Sequence, residues 1–93
     1  PRDITLDSAN NRALVVDSIL DALVAINLDS GDRTILSDAN TGTSLRFPQG
    51  ITLDSANNRA LVVDGDLEAL VVIDLATGER AIGSRAVTLP IDI

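Results

Sequence analysis

The chain has 93 residues, a formal charge of −7, and neither cysteine nor histidine. It therefore has no disulfide, no base for a Ser-His or Cys-His nucleophile and none of the usual zinc ligands. The acidic balance disfavours nucleic acid and anionic membranes as partners, since both require a basic face.

The dominant feature of the sequence is an internal repeat. The stretch Ile4–Asp17 recurs unchanged as Ile51–Asp64, at an offset of 47 residues, and a weaker likeness continues beyond it. Each copy contains short runs rich in β-branched residues, separated by turn-forming sequences, so each copy predicts four strands. In chain order, the predicted strands are Ile4–Asp7, Arg12–Asp17, Ala22–Leu28, Arg33–Ser37, Ile51–Asp54, Arg59–Asp64, Ala69–Leu75 and Arg80–Ser84.

The connections between these runs predict tight turns. Asp7 to Asn11 contains oxygen ligands, but its composition favours a turn over a Ca²⁺ loop, because Asn tolerates left-handed backbone. Gly31 provides the positive φ of a hairpin. Asp17 and Asp64 end a strand where a carboxylate binds the backbone of the following turn. The run that begins at Arg33 is more polar, which is typical of an edge strand.

A four-stranded antiparallel unit with this period is typical of a β-propeller blade. We predict an all-β chain in which residues 1–47 form blade 1, including a connection over 38–47. Residues 48–85 form blade 2. Residues 86–93 form a lead-in strand, because Pro90–Ile93 repeats the pattern of Pro1–Ile4.

Two blades cannot close a ring, and each would leave an aliphatic face in water. Closed cyclic assembly covers such faces. We therefore expect the chain's partner to be itself, as a C3 homotrimer of six blades, with residues 86–93 of one copy beside residues 1–5 of the next. Four chains with eight blades is the alternative.

The second copy carries a resemblance to known propellers. Its segments Pro48–Asp54, Leu61–Asp64 and Val72–Gly78 resemble blades of the NHL/YVTN type and are similar to blades of gluconolactonase/regucalcin-like proteins. The resemblance implies a six-bladed propeller. For the second group it also implies a divalent metal on the ring axis, bound by residues that lead into the innermost strand of several blades.

The positions that match this axial site are Arg2 and Gln49, with Asp3, Gly50 and Asp92 adjacent. Arg2 places a cation where a metal ligand is expected. One hypothesis is that alternating Arg2 and Gln49 side chains hold a small anion at the mouth of the axial channel. The other is that Arg2 pairs with Asp3 or Asp92 of a neighbour and seals the ring. We assign no catalytic residue and expect no cofactor, although Ca²⁺ suits this oxygen-rich set of residues.

The leading functional prediction is a self-assembling structural or interaction module without catalysis of its own. The near-perfect repeat has two explanations, a recent duplication within a natural propeller or an engineered or excised two-blade fragment, and the missing initiator Met favours the fragment. The alternative is a vestigial metal-dependent hydrolase of the lactonase or esterase type. Carbohydrate binding is disfavoured because such sites use aromatic platforms and Phe47 is the only aromatic residue. We expect Phe47 to fill the seam between the blades.

Overall fold

The computed structural model describes residues 2–85, so the predicted lead-in over residues 86–93 lies outside the described part. The described chain forms two four-stranded antiparallel sheets, each with its strands in sequence order. This confirms the predicted all-β chain with two repeated meanders. The first sheet contains β1 (Asp3–Asp7), β2 (Arg12–Asp17), β3 (Ala22–Asn27) and β4 (Arg33–Ser37), and the second contains β5 (Pro48–Asp54), β6 (Arg59–Asp64), β7 (Ala69–Asp74) and β8 (Arg80–Arg85).

Local sequence explains the turns. Between β1 and β2 lies a single 3₁₀ turn over Ser8–Asn10, and Asn11 closes it in the left-handed region at φ 52°. Gly31 has φ 77°, as its hairpin position requires. The predicted bounds of β2, β4 and β6 match the structure, whereas β5 begins three residues earlier than predicted, at Pro48 instead of Ile51. Residues 2–85 include no α-helix and no helix long and apolar enough to cross a lipid bilayer.

The hydrophobic core lies between the two sheets. Because side chains alternate along a strand, each sheet has two faces, and only one face of each sheet takes part in this core. We call the core-forming faces the packed faces, the other side of the first sheet the free face, and the other side of the second sheet the distal face. The packed face of the first sheet consists chiefly of Leu14, Val16, Leu23 and Ala25, and that of the second of Ile51, Ala60, Val62, Val71 and Ile73.

The connection between the sheets contributes one side chain to the core, and it is not the expected one. Leu45 is buried in the core cluster, whereas Phe47 is 36% exposed. The expectation that Phe47 fills the seam is therefore wrong. The backbone N–H of Phe47 donates to the buried Asp64 carboxylate, and this bond holds the aromatic ring at the rim, while Leu45 points inward.

Candidate functional site

One buried guanidinium, that of Arg80, makes several hydrogen bonds between the two sheets. Its side chain is fully buried at the start of β8. Nη1 donates to Asp21 Oδ1 at 2.8 Å, and Nη2 donates to the Asp21 carbonyl at 2.7 Å. Nε donates to Ser37 Oγ at 2.8 Å, and Nη1 also reaches the Thr43 carbonyl at 3.1 Å. We call this arrangement the Arg80 clamp; it satisfies the buried charge, which would otherwise be costly.

A second polar contact lies beside the clamp. Ser37 Oγ donates to the carbonyl of Gly78, at 2.6 Å, in the turn between β7 and β8. A Cβ atom on Gly78 would collide with the Leu36 carbonyl, so the turn is docked closely on β4. The corresponding glycine of the first sheet, Gly31, has no atom within 4 Å of where its Cβ would be. The Gly78 turn is thus docked on the neighbouring sheet, whereas the equivalent Gly31 turn is open.

The free face of the first sheet repeats the residues of the packed face of the second sheet, but it is exposed. Ile4 is 61% exposed, whereas Ile51, its equivalent 47 residues later, is 5% exposed. Leu28 is 51% exposed and its equivalent Leu75 is 8% exposed. The sequence is the same at these positions, so the difference comes from the neighbouring sheet that covers only the second copy. The free face is therefore built like an inter-sheet contact surface that has no covering sheet.

A groove of about 510 Å³ runs across this free face. Each of its seven lining residues is identical to the residue 47 positions later. Those later residues belong to the second sheet, where the first sheet and the connection cover this side. The lining residues are Val15, Asp17, Leu20, Val24, Ile26, Arg33 and Ile35.

Three of the axial candidates, Arg2, Asp3 and Gln49, lie at or beside the starts of β1 and β5. The Arg2 guanidinium lies over the Phe47 ring at 4.7 Å, and Nε donates to the Pro48 carbonyl at 3.3 Å. Asp3 Oδ2 accepts a hydrogen bond of 2.9 Å from the backbone of Ile51. Arg2 and Asp3 thus both link β1 to the second sheet. Gln49 is exposed next to Pro48, and Asp92 lies outside the described residues.

The Asp7 carboxylate, at the turn between β1 and β2, accepts hydrogen bonds from residues of its own sheet. Asp7 Oδ2 accepts from Arg12 Nε at 2.7 Å and from the Asn10 side chain at 2.9 Å. Burial raises the pKa of Asp7, but the bonds from Arg12 and Asn10 outweigh it and hold that pKa below its ordinary value. Over residues 2–85, no cluster of three or more acidic side chains is placed to hold a metal ion.

Sequence reasoning missed the Arg80 clamp. It placed Arg80 at the start of a strand and treated its repeat equivalent, Arg33, as an edge-strand residue. The available signal was the recurrence of an arginine at the same strand position in both copies, together with an acidic residue, Asp21 or Glu68, before the third strand of each. That pattern alone does not show that the two groups meet across a seam.

Comparison with known proteins does not assign the chain to a family. No protein-family model matches it, and no curated protein matches it significantly. The function must therefore be argued from the two repeated sheets and from the surface that one of them leaves uncovered.

Proposed function

We propose that the chain is a self-assembling structural or interaction module without catalysis of its own. In this proposal, copies associate head to tail: the free face of the first sheet of one copy packs against the distal face of the second sheet of the next copy. The observation that carries the proposal is the groove on the free face. Its seven lining residues recur unchanged in the second sheet, on the side that the first sheet covers.

The distal face has the residues that such packing requires. Leu61, Val63 and Leu70 share one side of the second sheet, as their strand register shows. They repeat Leu14, Val16 and Leu23, which form much of the packed face of the first sheet. The distal face is therefore a second copy of the surface that already binds a free-face equivalent within the chain.

The two faces that would meet are different surfaces, so the contact is heterologous. Repetition of a heterologous contact generates a closed ring where the rotation permits and an open filament where it does not. Blade-like sheets related by a constant rotation favour a ring. Three chains would give six blades, the number that the resemblance to NHL/YVTN and gluconolactonase-like propellers implies, and four chains would give eight.

The experiment is a light-scattering measurement of mass after size exclusion, over a dilution series. We expect a discrete multiple of the chain mass at high concentration. Ile35→Glu places a charge in the free-face groove and should shift the protein to monomer. The matched control is Ile19→Glu, because Ile19 is 88% exposed on the β2–β3 turn and its equivalent Asp66 is also exposed. A chain that is monomeric at every concentration would refute the proposal.

A further inference from the structure

We infer that a second arginine clamp joins the copies: Arg33 of one copy is bound by Glu68 and Ser84 of the next. This inference rests on the proposed head-to-tail association. It specifies which polar groups fix the register of that contact. The free face and the distal face are both largely aliphatic, so apolar burial alone would allow them to slide, whereas a charged clamp would fix one position.

The Arg80 clamp within the chain is the template. Arg80 belongs to the packed face of the second sheet and receives its acceptors from Asp21 and Ser37 of the first. Arg33 occupies the equivalent position, lines the free-face groove and is exposed. If the next copy covers the free face as the first sheet covers the second, its groups equivalent to Asp21 and Ser37 would lie beside Arg33.

Those equivalent groups are Glu68 and Ser84, which are an acidic residue and a hydroxyl residue as the template requires. Both are exposed in the single chain. Backbone conformation adds an independent observation, because Glu68 has φ 47° and Asp21 has φ 51°. A left-handed conformation is uncommon for a residue other than glycine and is enriched for Asp over Glu. Glu68 thus shares the left-handed φ of Asp21, whose carbonyl accepts a bond from Arg80.

The Ser84 hydroxyl has a second expected partner besides Arg33. Within the chain, Ser37 Oγ donates to the carbonyl of Gly78. The equivalent bond between copies runs from Ser84 of one copy to Gly31 of the other. Gly31 has the same left-handed conformation as Gly78, with φ 77° against 80°, and faces open space.

The contact between copies has fewer polar bonds than the contact between the two sheets within a chain. Asp3, which binds the backbone of Ile51 across the seam, is replaced by Gly50 in the second copy. We therefore expect the contact between copies to open on dilution or in high salt before the two sheets within a chain separate.

The test uses charge reversal in the full chain, read by the light-scattering dilution series. Arg33→Glu and Glu68→Arg should each weaken association at least tenfold, since each places like charges in contact. The double variant Arg33→Glu/Glu68→Arg re-forms an opposite pair at every contact and should recover much of the association. Arg46→Glu is the control: it changes the formal charge by the same two units as Arg33→Glu, from −7 to −9, and should leave association unchanged.

The outcomes separate the clamp from the assembly. If the parent chain assembles and Arg33→Glu assembles equally well, the clamp is wrong while the proposed face-to-face association stands. If both single variants dissociate and the double variant does not recover, the specific pairing of Arg33 with Glu68 is overturned. A parent chain that is monomeric at every concentration overturns the clamp together with the association.

Discussion

Asp7 and Asp54 occupy the same position in two identical stretches of sequence, yet their surroundings differ. Asp7 is buried and Asp54 is half-buried. Each accepts hydrogen bonds from an arginine and from an asparagine side chain. The sequence alone predicts the turn and treats both carboxylates alike. It cannot predict the difference in burial, because that depends on the surroundings of each copy.

This difference predicts unequal mutational effects. Asp7→Asn should lower the free energy of unfolding by about 1–3 kcal/mol, because it weakens hydrogen bonds to a buried charged group. Asp54→Asn should have a smaller effect, since the bonds it weakens are more accessible to water. Urea unfolding of both variants and the parent chain would measure this. Equal losses would show that burial in the first sheet adds nothing to the interaction.

The same two carboxylates predict that the folded protein loses stability at low pH. The pKa of Asp54 is lowered by its bonds from Asn57 and Arg59, and that of Asp7 is lowered by Arg12 and Asn10 against the opposing effect of burial. A folded-state pKa below the unfolded value gives stability that is present above about pH 4 and is lost as the pH falls through the folded-state pKa. We expect the Tm to fall as the pH drops below about 4, and less steeply in Asp7→Asn. An unchanged slope in that variant would exclude Asp7 as a source.

The buried Arg80 gives the sharpest prediction for a single side chain. Arg80→Ala removes the cation that Asp21 pairs with and the bonds that it donates to Asp21 and Ser37, so it should cost about 3 kcal/mol of unfolding free energy. Arg46→Ala, which truncates an exposed arginine, is the control and should cost far less. Both are measured by urea unfolding at a dilution where the parent chain is monomeric. A loss for Arg80→Ala no larger than the control would mean that the Arg80 clamp does not stabilise the contact between the sheets.

The sequence predicts the strands better than it predicts how the sheets are joined. Hydrophobic runs and turn residues are local signals, and they identify all eight strands of residues 2–85 with errors of a few residues at their ends. The connection over residues 38–47 has no such signal. Its course is determined by distant carboxylates: Asp21 accepts from the Leu45 N–H and Asp64 from those of Arg46 and Phe47. Burial of Leu45 and exposure of Phe47 follow from these bonds.

The connection should therefore depend on Asp64 more than on other turn-binding carboxylates. Asp64→Ala removes the acceptor for the Arg46 and Phe47 N–H groups as well as for Asp66 and Leu67 in its own turn. The control Asp74→Ala removes an exposed acceptor for two turn N–H groups only. We expect Asp64→Ala to lose about 2 kcal/mol more stability, because it removes a fully buried acceptor and leaves four part-buried N–H groups without it, and to be cleaved faster by protease within 38–47. Equal cleavage in the two variants would contradict this role.

At the scale of the whole molecule, the sequence repeat predicts that the two sheets pack together, but it does not determine whether copies of the chain close into a ring. The recurrence of Ile4–Asp17 as Ile51–Asp64 indicates two stacked units, and the structure shows which faces meet. The predicted axial site at Arg2, Asp3 and Gln49 shows the limit of sequence reasoning, because a site on a ring axis exists only if several copies close a ring. The positions of Arg2 over Phe47 and of Asp3 at Ile51 are properties of the seam within one chain.

The charge-reversal variants offer a way to count the chains in the proposed ring. In a mixture of Arg33→Glu chains and Glu68→Arg chains, every contact between unlike chains pairs opposite charges, and every contact between like chains pairs equal charges. An even ring can alternate the two variants without a mismatch, whereas a ring of three must contain one contact between like chains. For a trimer, we therefore expect an equimolar mixture to associate more weakly than the double variant and to give open species. A mixture that forms a discrete species of four chains as stable as the parent assembly would show eight-bladed closure instead, because only an even ring satisfies every clamp.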